Sequence, residues 1–112
     1  MIAMVSNDVQ NMLVEAQSYQ QQLHLVLTQK EALNMQVVDT GKALEELAKP
    51  GSEEVYMISG PILIKVSRAE ARKDLKSKKE LAMLRIRTLE KSETGLKEKL
   101  EELRGNLAKA GV

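Results

Sequence analysis

The side chains in this sequence that could carry out chemistry do not have the spacing that a catalytic, metal or nucleotide site needs. The chain has no cysteine, which excludes disulfides and thiolate catalysis. His24 is the single histidine, so no second histidine or cysteine can complete a metal site with it. Neither Gly41-Lys42 nor Gly60-Pro61 has the glycine spacing of a phosphate-binding loop. The sequence therefore predicts no metal, no nucleotide and no other cofactor.

Adjacent carboxylates are the remaining candidates for catalysis. They occur at Glu45-Glu46, Glu53-Glu54 and Glu101-Glu102. Helical and hairpin sequence surrounds them, and nothing in it predicts the concave pocket that an active site needs. A solvent-exposed face is the favoured interpretation of all three pairs. We predict that the protein is not an enzyme.

The composition indicates long amphipathic helices. The 112 residues allow one domain, residues 1–112. Aromatic residues make up 2% of the chain and charged residues 29%. With so few large rings, a core must be built mostly from Leu, Val, Ile and Met, which suits a narrow apolar stripe along a helix.

Charge and hydropathy exclude two classes of partner. The formal net charge is +1, and acidic residues interrupt the basic run between Arg72 and Arg87, where no aromatic residue is available for stacking. No nucleic acid is therefore expected. The longest apolar stretches fall far short of a membrane span, and the N-terminus lacks a basic signal-peptide region. We expect no membrane association and a cytoplasmic location.

Two long segments carry a heptad repeat typical of coiled coils. In the first, position a holds Val9, Ala16, Leu23, Lys30, Val37 and Leu44, and position d holds Met12, Tyr19, Val26, Leu33, Thr40 and Leu47. In the second, position a holds Arg72, Lys79, Ile86, Glu93, Leu100 and Leu107, and position d holds Leu75, Ala82, Leu89, Leu96, Leu103 and Ala110. The pattern predicts helices over about 7–48 and 68–109, paired antiparallel. Asn7 and Ser67 are the predicted N-caps, each with a Gln or Glu three residues later.

The block between the helices is predicted to be a β-hairpin over about 54–66. Two β-branched-rich runs flank Ser59-Gly60-Pro61. A lone hairpin is marginal in water, and this one carries more apolar surface than two helices can cover. We predict that it is an oligomerisation module that completes a β-barrel with hairpins of other subunits. The residues expected to form this interface are Val55, Tyr56, Ile58, Ile62, Leu63, Ile64 and Val66.

The layout and several segments together resemble the beta-type subunits of the prefoldin family. The segments that carry the resemblance are QQQL at 20–23 with Gln29-Lys30, KALEEL at 42–47, EVY at 54–56, Gly60, ILIKV at 62–66 and LRIRTLEK at 84–91. A single hairpin points to the beta type, since alpha-type subunits carry two. The match covers nearly the whole chain.

The resemblance implies a mainly α fold and an ATP-independent chaperone. Its expected partners are alpha-type and further beta-type subunits in a hetero-hexamer, unfolded client proteins, and a group II chaperonin that receives the clients. The residues alone leave a second function open, a coiled-coil scaffold or tether without chaperone activity. One observation distinguishes the chaperone from the scaffold: whether the assembled protein delays aggregation of an unfolded client without ATP.

Client binding is expected where the chain ends meet. The candidate residues are Ile2, Met4, Val5, Met12, Leu13, Leu107 and Val112. Methionine there would suit a surface that adapts to many partners. Four further apolar residues lie outside the seam and are candidates for lining the cavity of the assembled complex: Leu25, Met35, Val38 and Leu84. The acidic residues Glu98, Glu101 and Glu102 are candidates for docking on a basic chaperonin surface.

Overall fold

Two long helices flank one β-hairpin in the computed structural model, which describes residues 6–111. The elements in chain order are α1 (Asn7–Ala48), β1 (Glu54–Ser59), β2 (Ile62–Ser67) and α2 (Arg68–Lys109). This confirms the predicted mainly α fold class with a short central hairpin. That the chain is a single domain stays a prediction.

Each helix is capped by the serine that immediately precedes it. The Ser67 hydroxyl accepts a hydrogen bond from the Glu70 amide at 3.1 Å, as the sequence predicted. The predicted Asn7 cap is wrong, because Ser6 has that role: its hydroxyl accepts from the Val9 amide at 3.2 Å. Helix α1 begins at Asn7, one residue earlier than a cap at Asn7 would place it, so Ser6 bonds one of the first orphan amides.

The chain divides into two compact units. The terminal unit contains residues up to Lys30 and from Arg87 onward, and the hairpin unit contains Glu31–Ile86. In the terminal unit α1 and α2 run antiparallel, since Lys30 bonds Glu93 while the Lys99 ammonium lies over the Tyr19 ring. They are also antiparallel in the hairpin unit, where Arg72 bonds the carbonyl of Leu47 and the Lys79 ammonium lies beside Gly41.

Burial follows the predicted heptads over most of both helices. Every a and d residue of α1 is buried or half-buried. Two assignments in α2 are wrong. Arg72 is exposed and the neighbouring Ala71 is buried in its place at 2% exposure, because the Arg72 guanidinium bonds a backbone carbonyl instead of entering the seam. Ala110 lies past the end of α2 and is exposed.

The hairpin turn depends on glycine. Ser59 pairs with Ile62 across the strands, which leaves Gly60 and Pro61 as a two-residue loop. Gly60 has φ of 60°, whereas the proline ring cannot adopt a positive φ. Positive φ at the first loop residue alone is the pattern of a type II′ turn, whose twist matches that of the flanking strands.

Candidate assembly and client-binding surfaces

Cross-strand pairing sorts the hairpin residues onto two faces. Residues directly opposite each other in an antiparallel pair share a face. The first face carries Val55 with Val66, Met57 with Ile64, and Ser59 with Ile62. The second face carries Glu54 with Ser67, Tyr56 with Lys65, and Ile58 with Leu63. Apolar side chains therefore occupy both faces near the turn.

These apolar side chains are largely open to solvent. Ile58 is 79% exposed, Tyr56 68% and Leu63 67%, so no residue of the second face is covered. On the first face Ile62 and Ile64 are also exposed, while Val55, Met57 and Val66 are half-buried. A contiguous apolar surface of this kind marks an interaction site. We call the seven predicted interface residues, Val55, Tyr56, Ile58, Ile62, Leu63, Ile64 and Val66, the assembly surface.

The edges of the hairpin are also available for pairing. Within residues 6–111 the sheet has two strands, so the outer edge of each strand presents backbone donors and acceptors with no neighbouring strand. Such an edge is a template for another strand. On the second face the ammonium of Lys65 forms an exposed ion pair with Glu54 at 2.6 Å. On this second face polar residues thus lie toward the helix end of the hairpin and apolar residues toward the turn.

Arg68 ties the base of the hairpin to the end of α1, a role that was not predicted from the sequence. Its guanidinium donates to the carbonyls of Leu47 (2.6 Å), Lys49 (3.0 Å) and Ser52 (2.7 Å). Arg72 donates to the same Leu47 carbonyl at 3.0 Å. One signal was available in the sequence: the last turn of α1 has no basic residue of its own.

The terminal unit has an open groove between α1 and α2. The groove has a volume of about 420 Å³. Its lining residues are Leu13, Ala16, Gln17, Gln20, Leu100, Arg104, Leu107 and Ala108. Two predicted client-binding residues, Leu13 and Leu107, therefore lie together here. Leu13 is exposed, whereas Leu107 and the third described candidate, Met12, are half-buried seam residues.

The other predicted client-binding residues lie outside the described part of the chain. They are Ile2, Met4, Val5 and Val112. The four apolar residues assigned to positions off the seam, Leu25, Met35, Val38 and Leu84, are each more than half exposed. The structure adds Val14 to this group of exposed apolar side chains, with 66% exposure on α1.

A partly buried ion cluster interrupts the apolar seam of the terminal unit. The Lys30 ammonium bonds one carboxylate oxygen of Glu93 at 2.9 Å, and Lys97 bonds the other at 2.7 Å. Hydrogen bonds from Lys97 and then Lys30 hold the pKa of Glu93 below its usual 4.5. The Glu93 hydrogen bond likewise raises the pKa of Lys30 above 10.5. A charged layer in an apolar seam favours one helix register over others.

The predicted chaperonin-docking carboxylates are exposed on α2. Glu98 and Glu102 are exposed, and Glu101 forms an exposed pair with Arg104 at 3.4 Å. His24 is exposed as well. Across residues 6–111 no three His, Asp or Glu residues are grouped as metal ligands. Over the same range neither helix is long and apolar enough to cross a membrane.

Comparison with known proteins identifies the family. Residues 10–111 match the family model described as prefoldin subunit. The chain is 41% identical to the prefoldin subunit beta of Thermococcus onnurineus, covering 85% of this chain and 83% of that protein. It is 40% identical to the prefoldin subunit beta of Archaeoglobus fulgidus, covering 88% of this chain and 86% of that one.

Solved structures show the same fold. The prefoldin beta subunit from Thermococcus strain KS-1 superposes with a TM-score of 0.84 at 34% identity, covering 97% of this chain and 96% of that one. The beta2 subunit from the same strain, at 21% identity, shares the fold with a TM-score of 0.73 over 80% of this chain and 97% of that one. With a family match over most of its length and its own β-hairpin between antiparallel helices, the chain belongs to the prefoldin family of chaperone subunits.

Proposed function

We propose that this prefoldin chaperone subunit assembles through its hairpin and holds unfolded proteins at the terminal unit without ATP. The observation that carries the proposal is the assembly surface, whose apolar side chains face solvent on both sides of a two-stranded sheet with open edges. Alpha-type subunits and further beta-type subunits supply the missing strands. The resulting complex is a hetero-hexamer built on a β-barrel.

The terminal groove supports the client-binding part of the proposal. Leu13 and Leu107 provide apolar contact, while Gln17, Gln20 and Arg104 line the same groove with flexible polar groups. Such a mixture suits extended chains of varied sequence, because apolar side chains find contact and backbone groups find hydrogen-bond partners. The apolar residues Ile2, Met4 and Val5 precede α1, and Met12 and Val112 complete the proposed client-binding set.

Adjacent residues on α1 provide a matched test of client binding. Leu13 lines the groove and Val14 does not, although both are exposed apolar residues. In complexes assembled with an alpha-type subunit, Leu13→Ser should weaken the suppression of client aggregation measured by light scattering, and Val14→Ser should not. Deletion of residues 1–5 should also weaken it. Equal activity of all three variants and the unmodified complex would remove the groove from the proposal.

Delivery to a group II chaperonin completes the proposed role in the cytoplasm. The exposed carboxylates of Glu98, Glu101 and Glu102 fit a basic docking surface by charge. Replacing all three with Gln should slow association with a purified chaperonin and make it less sensitive to salt. Retained salt dependence in this variant would assign docking to other charges.

The alternative is a scaffold or tether that assembles but holds no client. The same long helices and assembly surface support it. A complex that forms normally and leaves client aggregation unchanged in the absence of ATP would decide in its favour.

A further inference from the structure

The C-terminal end of α1 has no cation of its own. The last carbonyls of a helix have no partner within the helix, and its negative dipole end is stabilised by nearby cations. No residue in the last turn of α1 is basic. Its end carries Pro50 two residues beyond Ala48, so the helix cannot continue past this point.

Arg68, the first residue of α2, supplies both the charge and the hydrogen bonds. Its guanidinium donates to Leu47 and Lys49 at the end of α1 and to Ser52 in the connection to β1. The Arg68 amide donates to the Glu53 carbonyl immediately before β1. One residue thus holds the end of α1, the segment leading into the hairpin and the start of the helix that leaves it.

Gly51 makes room for this arrangement. A Cβ atom at Gly51 would lie 2.5 Å from Nη2 of Arg68, closer than two such atoms can approach. The φ of Gly51 is not positive, so its backbone does not itself require glycine. A larger side chain at position 51 would displace the Arg68 guanidinium, which three hydrogen bonds hold in place.

We propose that Arg68, supported by Arg72 and accommodated by Gly51, is a positioning residue that holds the hairpin ready for assembly. This rests on the proposed role of the hairpin as the assembly surface. Without the hydrogen bonds of Arg68, the hairpin still folds but moves relative to the end of α1. Each subunit must then restrict that motion when it assembles, and the lost entropy weakens subunit association.

Hydrogen exchange on the 112-residue chain tests the local part of the proposal. The Lys49 amide donates to the Glu46 carbonyl in the last turn of α1, the turn whose end Arg68 holds. Arg68→Ala should speed exchange of this amide roughly tenfold, since hydrogen bonds to a charged group stabilise by about that factor. Amides around Leu96 in the terminal unit should be unchanged. Arg68→Lys should behave like the Ala variant, because an ammonium lacks the planar fork that reaches three carbonyls. Arg85→Ala is the matched control, because Arg85 is an exposed arginine inside α2, away from the end of α1.

Gly51→Ala tests the contact in the opposite way. In the unmodified chain it should speed exchange of the Lys49 amide, since the added methyl group displaces the guanidinium. In the Arg68→Ala background it should have no such effect, because the obstacle is gone. Equal effects in the two backgrounds would overturn the proposed contact.

Assembly with an alpha-type subunit tests the functional part. Arg68→Ala should raise the concentration needed for complex formation severalfold, measured by mass photometry, while Arg85→Ala should not. Faster exchange with unchanged assembly would overturn the positioning role. If a substitution on the assembly surface, such as Ile58→Ala, also left assembly unchanged, the proposed function of the hairpin would fail instead.

Discussion

Ile58 offers the sharpest test of assembly because it contributes almost nothing to the single chain. Replacing it with Ala removes three carbon atoms beyond Cβ. At about 0.8 kcal/mol for each carbon group withdrawn from water, these atoms are worth about 2.4 kcal/mol when fully buried. Since Ile58 is 79% exposed, about 2 kcal/mol of that is gained only on assembly. The subunit dissociation constant should therefore rise roughly 30-fold for each interface that buries Ile58.

Mass photometry over a dilution series, with an alpha-type subunit present, measures this constant. Val14→Ala is the matched control, since Val14 is a similarly exposed β-branched residue on α1. Circular dichroism of the isolated chain should show no change in melting temperature for either variant. A dissociation constant for Ile58→Ala within about threefold of the unmodified value would refute the assignment of this side chain to a buried interface.

Three further predictions concern the helices of the isolated chain. Leu96→Ala should lower the free energy of unfolding in urea by about 2 kcal/mol or more, because Leu96 is buried in the seam; a loss below about 0.5 kcal/mol, typical of surface sites, would contradict this. Ser67→Ala should cost about 1 kcal/mol by removing the α2 cap, whereas Ser77→Ala, at an exposed position inside α2, should not destabilise it. Glu93 has a lowered pKa, so its stabilising contribution is present at neutral pH and is lost as pH falls through the folded-state pKa. Between pH 6 and pH 3, roughly, the melting temperature should fall further in the unmodified chain than in Glu93→Gln. Lys30 has a raised pKa, so its charge is constant over this range. An equal fall in melting temperature for the unmodified chain and for Glu93→Gln would refute the stabilising role of the Glu93 carboxylate.

The helices, the hairpin and most of the seam could be predicted from the sequence alone. A heptad repeat is a local property, since residues three and four apart share a helix face wherever that helix lies. For this reason the a and d positions of α1 could be assigned residue by residue, including the polar Lys30 and Thr40. The turn was equally local, because Gly60 followed by Pro61 permits few backbone conformations.

The proposed interface could be predicted only by elimination. The hairpin carried more apolar residues than its own helices could cover, and the exposure of Ile58, Tyr56 and Leu63 agrees with that reasoning. The faces themselves required the strand register, because a shift of one residue moves every side chain to the opposite side.

How the hairpin is joined to the helices could not be predicted from the sequence and depends on contacts between distant residues. Arg68 follows a capping serine and in sequence is one of many exposed-looking basic residues. Its role arises from the carbonyls of Leu47, Lys49 and Ser52, which are 16 to 21 residues away in the chain. The same folding displaces Arg72 from the seam and buries Ala71. Heptad spacing shows which residues share a helix face, but it carries no information on which distant carbonyls lack a partner. The need of the carbonyls at the end of α1 for hydrogen-bond donors determines where both arginines lie.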